Sequence, residues 1–180
     1  MKMIEQNEIK IDYKNSDISI SSGNNFSAFV LQNNQLYSFG KNNKGQLGVG
    51  DIIDKLSPTF VSETDVSGVI SVSCGNEHTL ALTVDNKVFS FGENENGQLG
   101  INSFNDKISP TYIQDSNGNT INNVISISSG YSFSLILNKF GKIFSTGDNT
   151  YGQLGNGNGG PGMKQNHFND IKYSIDGVNS

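Results

Sequence analysis

One nine-residue pattern occurs three times in this sequence, and every copy ends in the tetrapeptide Gly-Gln-Leu-Gly. The copies span residues 40–48, 92–100 and 147–155, so the pattern recurs after 52 residues and again after 55. A period of this size is typical of repeat proteins, in which each unit buries its apolar face against the next. We therefore expect a repeat architecture that shares one scaffold and uses its loops for recognition.

Each unit also contains short apolar segments in which every second residue is apolar, as in half-buried β-strands. In the first segment, the alternating apolar residues of the three units are Ile18 and Ile20, Ile70 and Val72, and Ile125 and Ile127. In the second segment, they are Ala28 and Val30, Leu80 and Leu82, and Leu135 and Leu137. The third, at 36–39, 88–91 and 143–146, leads directly into the glycine pattern. A short polar turn separates the second and third segments, which predicts a β-hairpin.

A fourth segment contains Pro58 in the first unit and Pro110 in the second. Proline cannot donate a hydrogen bond to a sheet, so we expect either an edge strand here or a strand that begins just after the proline. Four short strands in each unit, without helical periodicity, predict an all-β protein built from four-stranded antiparallel β-propeller blades. A β-helix would need shorter rungs, and leucine-rich or ankyrin units are shorter and contain helices.

The repeats divide the chain into an N-terminal segment, 1–17, three repeats, 18–68, 69–123 and 124–170, and the start of a truncated fourth repeat, 171–180. Three blades cannot close a ring, since propellers have about 4–8 blades. We therefore expect either a fragment of a longer protein or open blade edges that a second copy or a partner covers, because exposed strand edges favour aggregation.

Composition narrows the range of partners and compartments. The net charge of −5 argues against direct nucleic-acid binding. Cys74 is the only cysteine, which excludes an internal disulfide and fits a reducing compartment. No apolar run approaches the roughly 18 residues that span a bilayer, and the first residues lack the apolar core of a signal peptide. We expect an intracellular protein without membrane contact, in the cytoplasm rather than the nucleus.

The glycine pattern also has the opening spacing of a phosphate-binding loop, from Gly40 to Gly45. Such a loop requires Lys followed by Ser or Thr, but Gln46 and Leu47 stand there, and the other two copies differ in the same way. Turn glycines with positive φ explain the pattern better. We expect the Gln and Leu to tie each turn to its sheet, with Leu47, Leu99 and Leu154 filling small core positions.

Metal binding and catalysis find no support in the sequence. In a calcium loop beginning at Glu93, Phe104 would stand where glutamate is needed, and Lys41 and Lys44 of the first copy would repel a cation. His78 occupies a repeat position that is Phe in the other units, which indicates a packed, hydrogen-bonded histidine. We expect Cys74 to be an inert buried thiol. The sequence therefore predicts no cofactor, no metal and no enzymatic activity.

The residues between the paired glycines keep their spacing but change their chemistry. Fixed spacing with varied side chains is typical of binding loops on a rigid scaffold. The candidates for partner binding are Lys41, Asn43 and Lys44, then Glu93 and Glu95, then Asp148 and Tyr151. The alternative is that they are only solvated turns.

The repeat resembles that of the regulator of chromosome condensation family over about residues 18–160. The second unit carries the resemblance most fully, with Gly75, His78-Thr79, Ala81-Leu82, Phe91-Gly92, Asn94, the tetrapeptide at 97–100, Pro110 and Ile113. The sequence departs from the family pattern at Phe39, Phe91 and Thr146, where the family has Trp, at Phe26 and Phe133, where it has His, and at Asn102, where it has Gly. The resemblance implies about three blades of a seven-bladed type of propeller, with the ring incomplete.

The resemblance also implies a non-catalytic module for protein–protein interaction with a regulatory or scaffolding role. The alternative is a guanine-nucleotide exchange factor for a small GTPase, for which no exchange-site residue can be placed on this sequence. A third possibility is a fragment without function because it cannot close.

Overall fold

The computed structural model describes residues 19–62 and 66–171, and this part of the chain contains twelve β-strands and no helix. The strands are β1 Ser19–Ser22, β2 Phe26–Val30, β3 Leu36–Gly40, β4 Lys55–Phe60, β5 Val69–Cys74, β6 His78–Thr83, β7 Val88–Gly92, β8 Lys107–Tyr112, β9 Val124–Ser129, β10 Phe133–Asn138, β11 Ile143–Asp148 and β12 Lys164–Asp170.

The strands form three four-stranded antiparallel sheets, each in simple chain order: blade 1 (β1–β4), blade 2 (β5–β8) and blade 3 (β9–β12). This confirms the all-β fold and the four-stranded blades. The predicted segment 1–17 and all but Ile171 of the predicted fourth repeat, 171–180, lie outside the described residues. The repeat boundaries stay a prediction.

The three blades pack face to face in chain order. Their first strands lie side by side, β1 against β5 and β5 against β9, and β4, β8 and β12 form the outer edges. Serine hydroxyls join the first strands: the Cys74 amide donates to Ser21 Oγ at 2.9 Å and the Ser129 amide donates to Ser73 Oγ at 2.9 Å. The same seam is therefore built twice along the chain.

The outer strands contain the two prolines singled out in the sequence. Pro58 lies in β4 and Pro110 in β8, and each strand pairs on one side only, with β3 and β7 respectively. The missing N–H of proline breaks no ladder on the outer side of an edge strand. The expectation of edge strands is confirmed, whereas the alternative of a strand that begins after the proline is wrong, because each proline lies inside its strand.

An apolar core fills each of the two spaces between blades. Core 1 lies between blades 1 and 2 and includes Phe26, Ala28, Val30, Leu36, Leu47, Val72, Ala81, Phe89 and Phe91. Core 2 lies between blades 2 and 3 and includes Leu80, Leu82, Val88, Ile113, Val124, Ile136 and Phe168. Blade 2 is covered on both faces, so all six residues of β6 are buried.

The expectation that the first strand of each unit is half-buried on one face is wrong for β5. A register shift between Val69 and Ser71 sends Ile70 into core 2, whereas Val72 packs in core 1. The expectation also fails in the end blades, where Ile20 is 77% and Ile125 is 52% exposed. Among the described residues, no further blade covers those two faces. Ile18 lies outside the described residues.

Candidate functional site

The loops that follow β3, β7 and β11 lie at one end of the blades, because each blade is an antiparallel meander. At this end they meet the turns that precede β2, β6 and β10: Lys41 N donates to Asn25 O at 2.8 Å, Glu93 N to Glu77 O at 2.7 Å, and Asp148 N to Ser132 O at 2.9 Å. We call the segments 41–48, 93–100 and 148–155 the loop row.

A buried asparagine braces each loop of the row. Asn94 Oδ1 accepts from the Leu99 amide at 3.0 Å, and its Nδ2 donates to Ser103 O at 2.8 Å and to Asn105 O at 3.1 Å. Asn42 and Asn149 accept from the Leu47 and Leu154 amides in the same way, at 3.0 and 3.1 Å. The sequence alone did not lead us to predict that these asparagines brace the loops. The pattern that could have indicated it is an asparagine at the same position in every copy.

The tetrapeptide holds the turn to the sheet as expected. The glutamine Oε1 atoms accept from the amides of Lys44, Asn96 and Tyr151 at 2.9, 3.0 and 2.8 Å. The leucine carbonyls accept from Ser38, Ser90 and Ser145 Oγ at 2.7, 2.8 and 2.8 Å. Leu47, Leu99 and Leu154 are fully buried. Gly45, Gly97 and Gly152 have φ of 78°, 82° and 78°. These observations confirm the turn and the core role.

Replacing Asn94 by alanine is expected to lower the free energy of unfolding by about 2 kcal/mol, because it leaves the buried Leu99 amide without its acceptor. Urea unfolding followed by circular dichroism measures this change. Asn96→Ala is the matched control, since Asn96 bonds to Gln98 through its backbone amide, and we expect it to change stability by less than about 0.5 kcal/mol. Equal losses in the two variants would contradict the brace.

Two of the candidate binding residues meet across the boundary between blades 1 and 2. Lys44 Nζ lies 2.7 Å from Glu95 Oε1 and 3.5 Å from Asp106 Oδ2. The hydrogen bond to Glu95 raises the pKa of Lys44 and lowers the pKa of Glu95. Lys41 forms a second ion pair, with Glu77 of blade 2. Both lysines of the first loop therefore pair with carboxylates of blade 2 and join the two blades.

Glu93 and Asp148 contact the glutamine of their own loop. Gln98 Nε2 donates to Glu93 Oε2 at 3.0 Å, and Gln153 Nε2 donates to Asp148 Oδ2 at 2.7 Å. Burial raises the pKa of Glu93, and the nearby Glu77 carboxylate raises it further. Each of these carboxylates helps to hold its loop in place.

Asn43, Glu95 and Tyr151 extend furthest into solvent, with Tyr151 at 92% exposure. The Asp148 carboxylate accepts hydrogen bonds from Thr150 and Gln153 of its own loop, in blade 3. Partner binding by the seven candidates stays a prediction.

The two residues considered for special chemistry are buried. His78 Nε2 lies 3.0 Å from Ser134 Oγ of blade 3, and burial lowers the pKa of His78 to about 4. Burial raises the pKa of the Cys74 thiol to about 11. The packed histidine and the buried thiol are both confirmed.

Within residues 19–62 and 66–171, no group of three His, Cys, Asp or Glu side chains could hold a metal ion. None of the secondary-structure elements in these ranges is a helix long and apolar enough to cross a bilayer. Absence of enzymatic activity stays a prediction.

Three four-stranded blades, joined by the same serine contacts and each with the same braced loop, define the class of the protein as a β-propeller repeat protein. Residues 6–156 match the Alsin RCC1-like domain, so the chain belongs to the RCC1-like family, as the repeat indicated. This membership supports a protein-interaction and regulatory module.

The chain is similar to Protein RCC2 of Homo sapiens, with 38% identity over 135 residues, 74% of this chain and 25% of RCC2. It is 36% identical to the X-linked retinitis pigmentosa GTPase regulator of Mus musculus over 155 residues, 86% of this chain and 15% of that protein. The chain thus spans about a quarter or less of the length of these relatives.

Among solved structures, Prp20p of Saccharomyces cerevisiae shares the fold, with a TM-score of 0.73 and 23% identity over 86% of this chain and 38% of Prp20p. Prp20p is described as binding Gsp1p and histones. Yeast RCC1 (Prp20) has also been solved in complex with Kap60.

Proposed function

We propose that this chain is a non-catalytic module that binds a protein partner through the loop row. One observation carries the proposal: three identically braced loops present different side chains at the same end of the blades. Asn43, Glu95 and Tyr151 are exposed there, and each lies within two residues of a buried asparagine. Rigid loops lose little conformational entropy on binding, which favours their use in recognition.

The chemistry of the chain favours a protein over other partners. Its net charge of −5 disfavours a phosphate backbone or an anionic membrane surface. The protein partners described for Prp20p, Gsp1p, histones and Kap60, support this choice. Binding to protein partners also supports a regulatory or scaffolding role.

The test is a triple variant, Asn43→Ala/Glu95→Ala/Tyr151→Ala, which is expected to weaken partner binding by at least about 10-fold because it removes exposed contacts and keeps the braces. A partner captured from cell extract is purified, and its affinity is measured by calorimetry. The control, Asn33→Ala/Val84→Ala/Phe140→Ala, changes the hairpin turns at the opposite end of the blades and should bind normally. Normal binding by the loop variant, or loss in the control, would reject the loop row as the site.

A second candidate is nucleotide exchange on a small GTPase. A relative that carries the name of GTPase regulator, and the Gsp1p binding described for Prp20p, favour it. The test is release of a fluorescent guanine nucleotide from candidate GTPases, with chelation of Mg²⁺ as the positive control. No acceleration at micromolar protein would reject exchange and leave the interaction proposal standing.

We place this function inside the cell, in the cytoplasm rather than the nucleus. The lone cysteine, which is buried as a thiol, supports a reducing compartment. Imaging of a fluorescently tagged chain tests the placement, and a nuclear signal would overturn it.

A further inference from the structure

Asparagine is followed directly by glycine at four places in the sequence, 96–97, 117–118, 156–157 and 158–159. In such a pair the glycine nitrogen can attack the asparagine carboxamide, because glycine has no side chain to block the approach. The reaction needs a carboxamide that can turn and a glycine N–H that no hydrogen bond holds in place. The fold gives the four pairs different surroundings, so we expect them to differ in reactivity.

Two of the pairs are held through the glycine amide. Gly97 N donates to Asn94 O at 2.9 Å, and a Cβ atom on Gly97 would lie 2.4 Å from Gln165 O, so this glycine is also packed against blade 3. Gly118 N donates to Asp115 O at 3.0 Å in an exposed turn. In both pairs a backbone hydrogen bond must break before the nitrogen can attack.

The third pair is held through the asparagine carboxamide. Asn156 Oδ1 accepts from Asn149 Nδ2 at 3.1 Å and from the Asn158 amide at 3.1 Å. These two hydrogen bonds fix the orientation of the carboxamide. Asn156 must give them up before its carboxamide can turn freely toward the nitrogen of Gly157.

The fourth pair, Asn158 and Gly159, has neither restraint. Asn158 is exposed, and within the described part of the chain no hydrogen bond holds its carboxamide or the Gly159 N–H. Neither residue belongs to a strand or a turn. In blade 2 the loop that receives the same brace is exposed at 104–106, although blades lie on both sides of it. A neighbouring blade therefore does not cover this loop.

We propose that Asn158 is a site of spontaneous deamidation in the folded chain and reacts before the other three asparagines. The Gly159 nitrogen attacks Asn158 Cγ, and its proton passes through solvent to the carboxamide NH₂ group, which leaves as ammonia. The product is a cyclic succinimide, and water opens it at either carbonyl to give aspartate or isoaspartate. Water is the only co-reactant. This modification is separate from the proposed partner binding and goes beyond it.

Isoaspartate at position 158 would change the brace of the blade 3 loop. Asn149 Nδ2 donates to the main-chain oxygen of Asn158 at 3.0 Å. In isoaspartate this oxygen belongs to a free carboxylate, and the main chain runs through Cγ and is longer by one methylene group. The bracing asparagine would then hold a charged branch instead of the main chain. Deamidation would therefore loosen one of the three braced loops and add a negative charge beside it.

The test follows all four asparagines in one sample. The folded chain is incubated in mildly alkaline buffer, and tandem mass spectrometry of its proteolytic peptides measures conversion at each position over time. Asn158 should react at least about 5-fold faster than Asn117 or Asn156, because each of those must first lose hydrogen bonds, and at least about 10-fold faster than the packed Asn96 pair. Enzymatic methyl labelling of isoaspartate identifies the product. In urea the four rates should converge, since the fold no longer distinguishes the pairs.

Asn158→Gln is the matched variant, because glutamine keeps a neutral carboxamide but must close a larger ring, which forms more slowly. It should remove the fast conversion and leave the rates at the other three asparagines unchanged, and circular dichroism checks that it is folded. Gly159 is kept, since a Cβ atom there would lie 3.0 Å from Gly152 Cα. Equal rates in the folded chain, or faster reaction at any other pair, would overturn the proposal. Fast conversion that survives in Asn158→Gln, or a ranking that persists in urea, would overturn it as well.

Discussion

Alanine at Gly97 is expected to lower the free energy of unfolding by about 4 kcal/mol, the sum of backbone strain and a steric clash. Gly97 has a φ of 82°, a conformation that alanine rarely adopts. The added Cβ would also lie 2.4 Å from Gln165 O of blade 3. Backbone atoms cannot move aside as a flexible side chain can, so the seam between blades 2 and 3 must open.

The matched control is Gly152→Ala, at the same repeat position on the last described blade. Its φ of 78° gives the same strain, but the nearest atom to the new Cβ lies 3.8 Å away. We expect a loss of about 1–2 kcal/mol, from strain alone. Urea unfolding of both variants measures the difference. Equal losses would show that the approach of blade 3 to Gly97 does not contribute.

Acid is expected to remove up to about 3 kcal/mol of stability through His78, because its pKa is about 4 in the folded chain and 6.5 as the ordinary value. The unfolded chain binds the proton first as the pH falls. The contribution of the neutral histidine is therefore fully present above pH 6.5 and is lost as the pH falls toward 4. Unfolding free energies measured across this range give the size of the loss.

His78→Phe is the control that the repeat itself supplies. Phe26 and Phe133 occupy the same position in blades 1 and 3, and each ring packs on a glycine, Gly23 or Gly130, as His78 packs on Gly75. The phenyl variant should fold and should lack this part of the acid sensitivity. Parallel stability curves for the two proteins between pH 6.5 and 4 would contradict the role of His78.

Much of the fold could be predicted from repeated local patterns. The strands, the hairpins and the edge prolines follow from alternation and from the hydrogen bonds that proline cannot make. The turn glycines were predictable because the same spacing recurs and no helix or lysine follows it. Leu47, Leu99 and Leu154 were predictable as core residues, because an apolar side chain in a glycine-rich turn is stabilised when it packs against the sheet.

Features that depend on the neighbouring blade were not predictable in this way. The register shift in β5 places Ile70 and Val72 in different cores, and only the presence of blades on both sides gives each a place. Lys44 and Glu95 are far apart in sequence, and their spacing within each unit does not indicate that they pair. The bracing asparagines lay among residues interpreted as variable, although their identity in all copies distinguished them.

The bracing asparagines also separate the length of each outer loop from the geometry of the blade. The outer strand begins seven residues after the last glycine of the tetrapeptide in blades 1 and 2, at Lys55 and Lys107, but nine residues after it in blade 3, at Lys164. Asn149 nevertheless reaches the longer loop, donating to Asn158 O at 3.0 Å, and its own turn keeps the same bonds. An insertion between turn and outer strand is thus absorbed inside one blade, which makes this segment a place where the repeat can gain new sequence without repacking its neighbours.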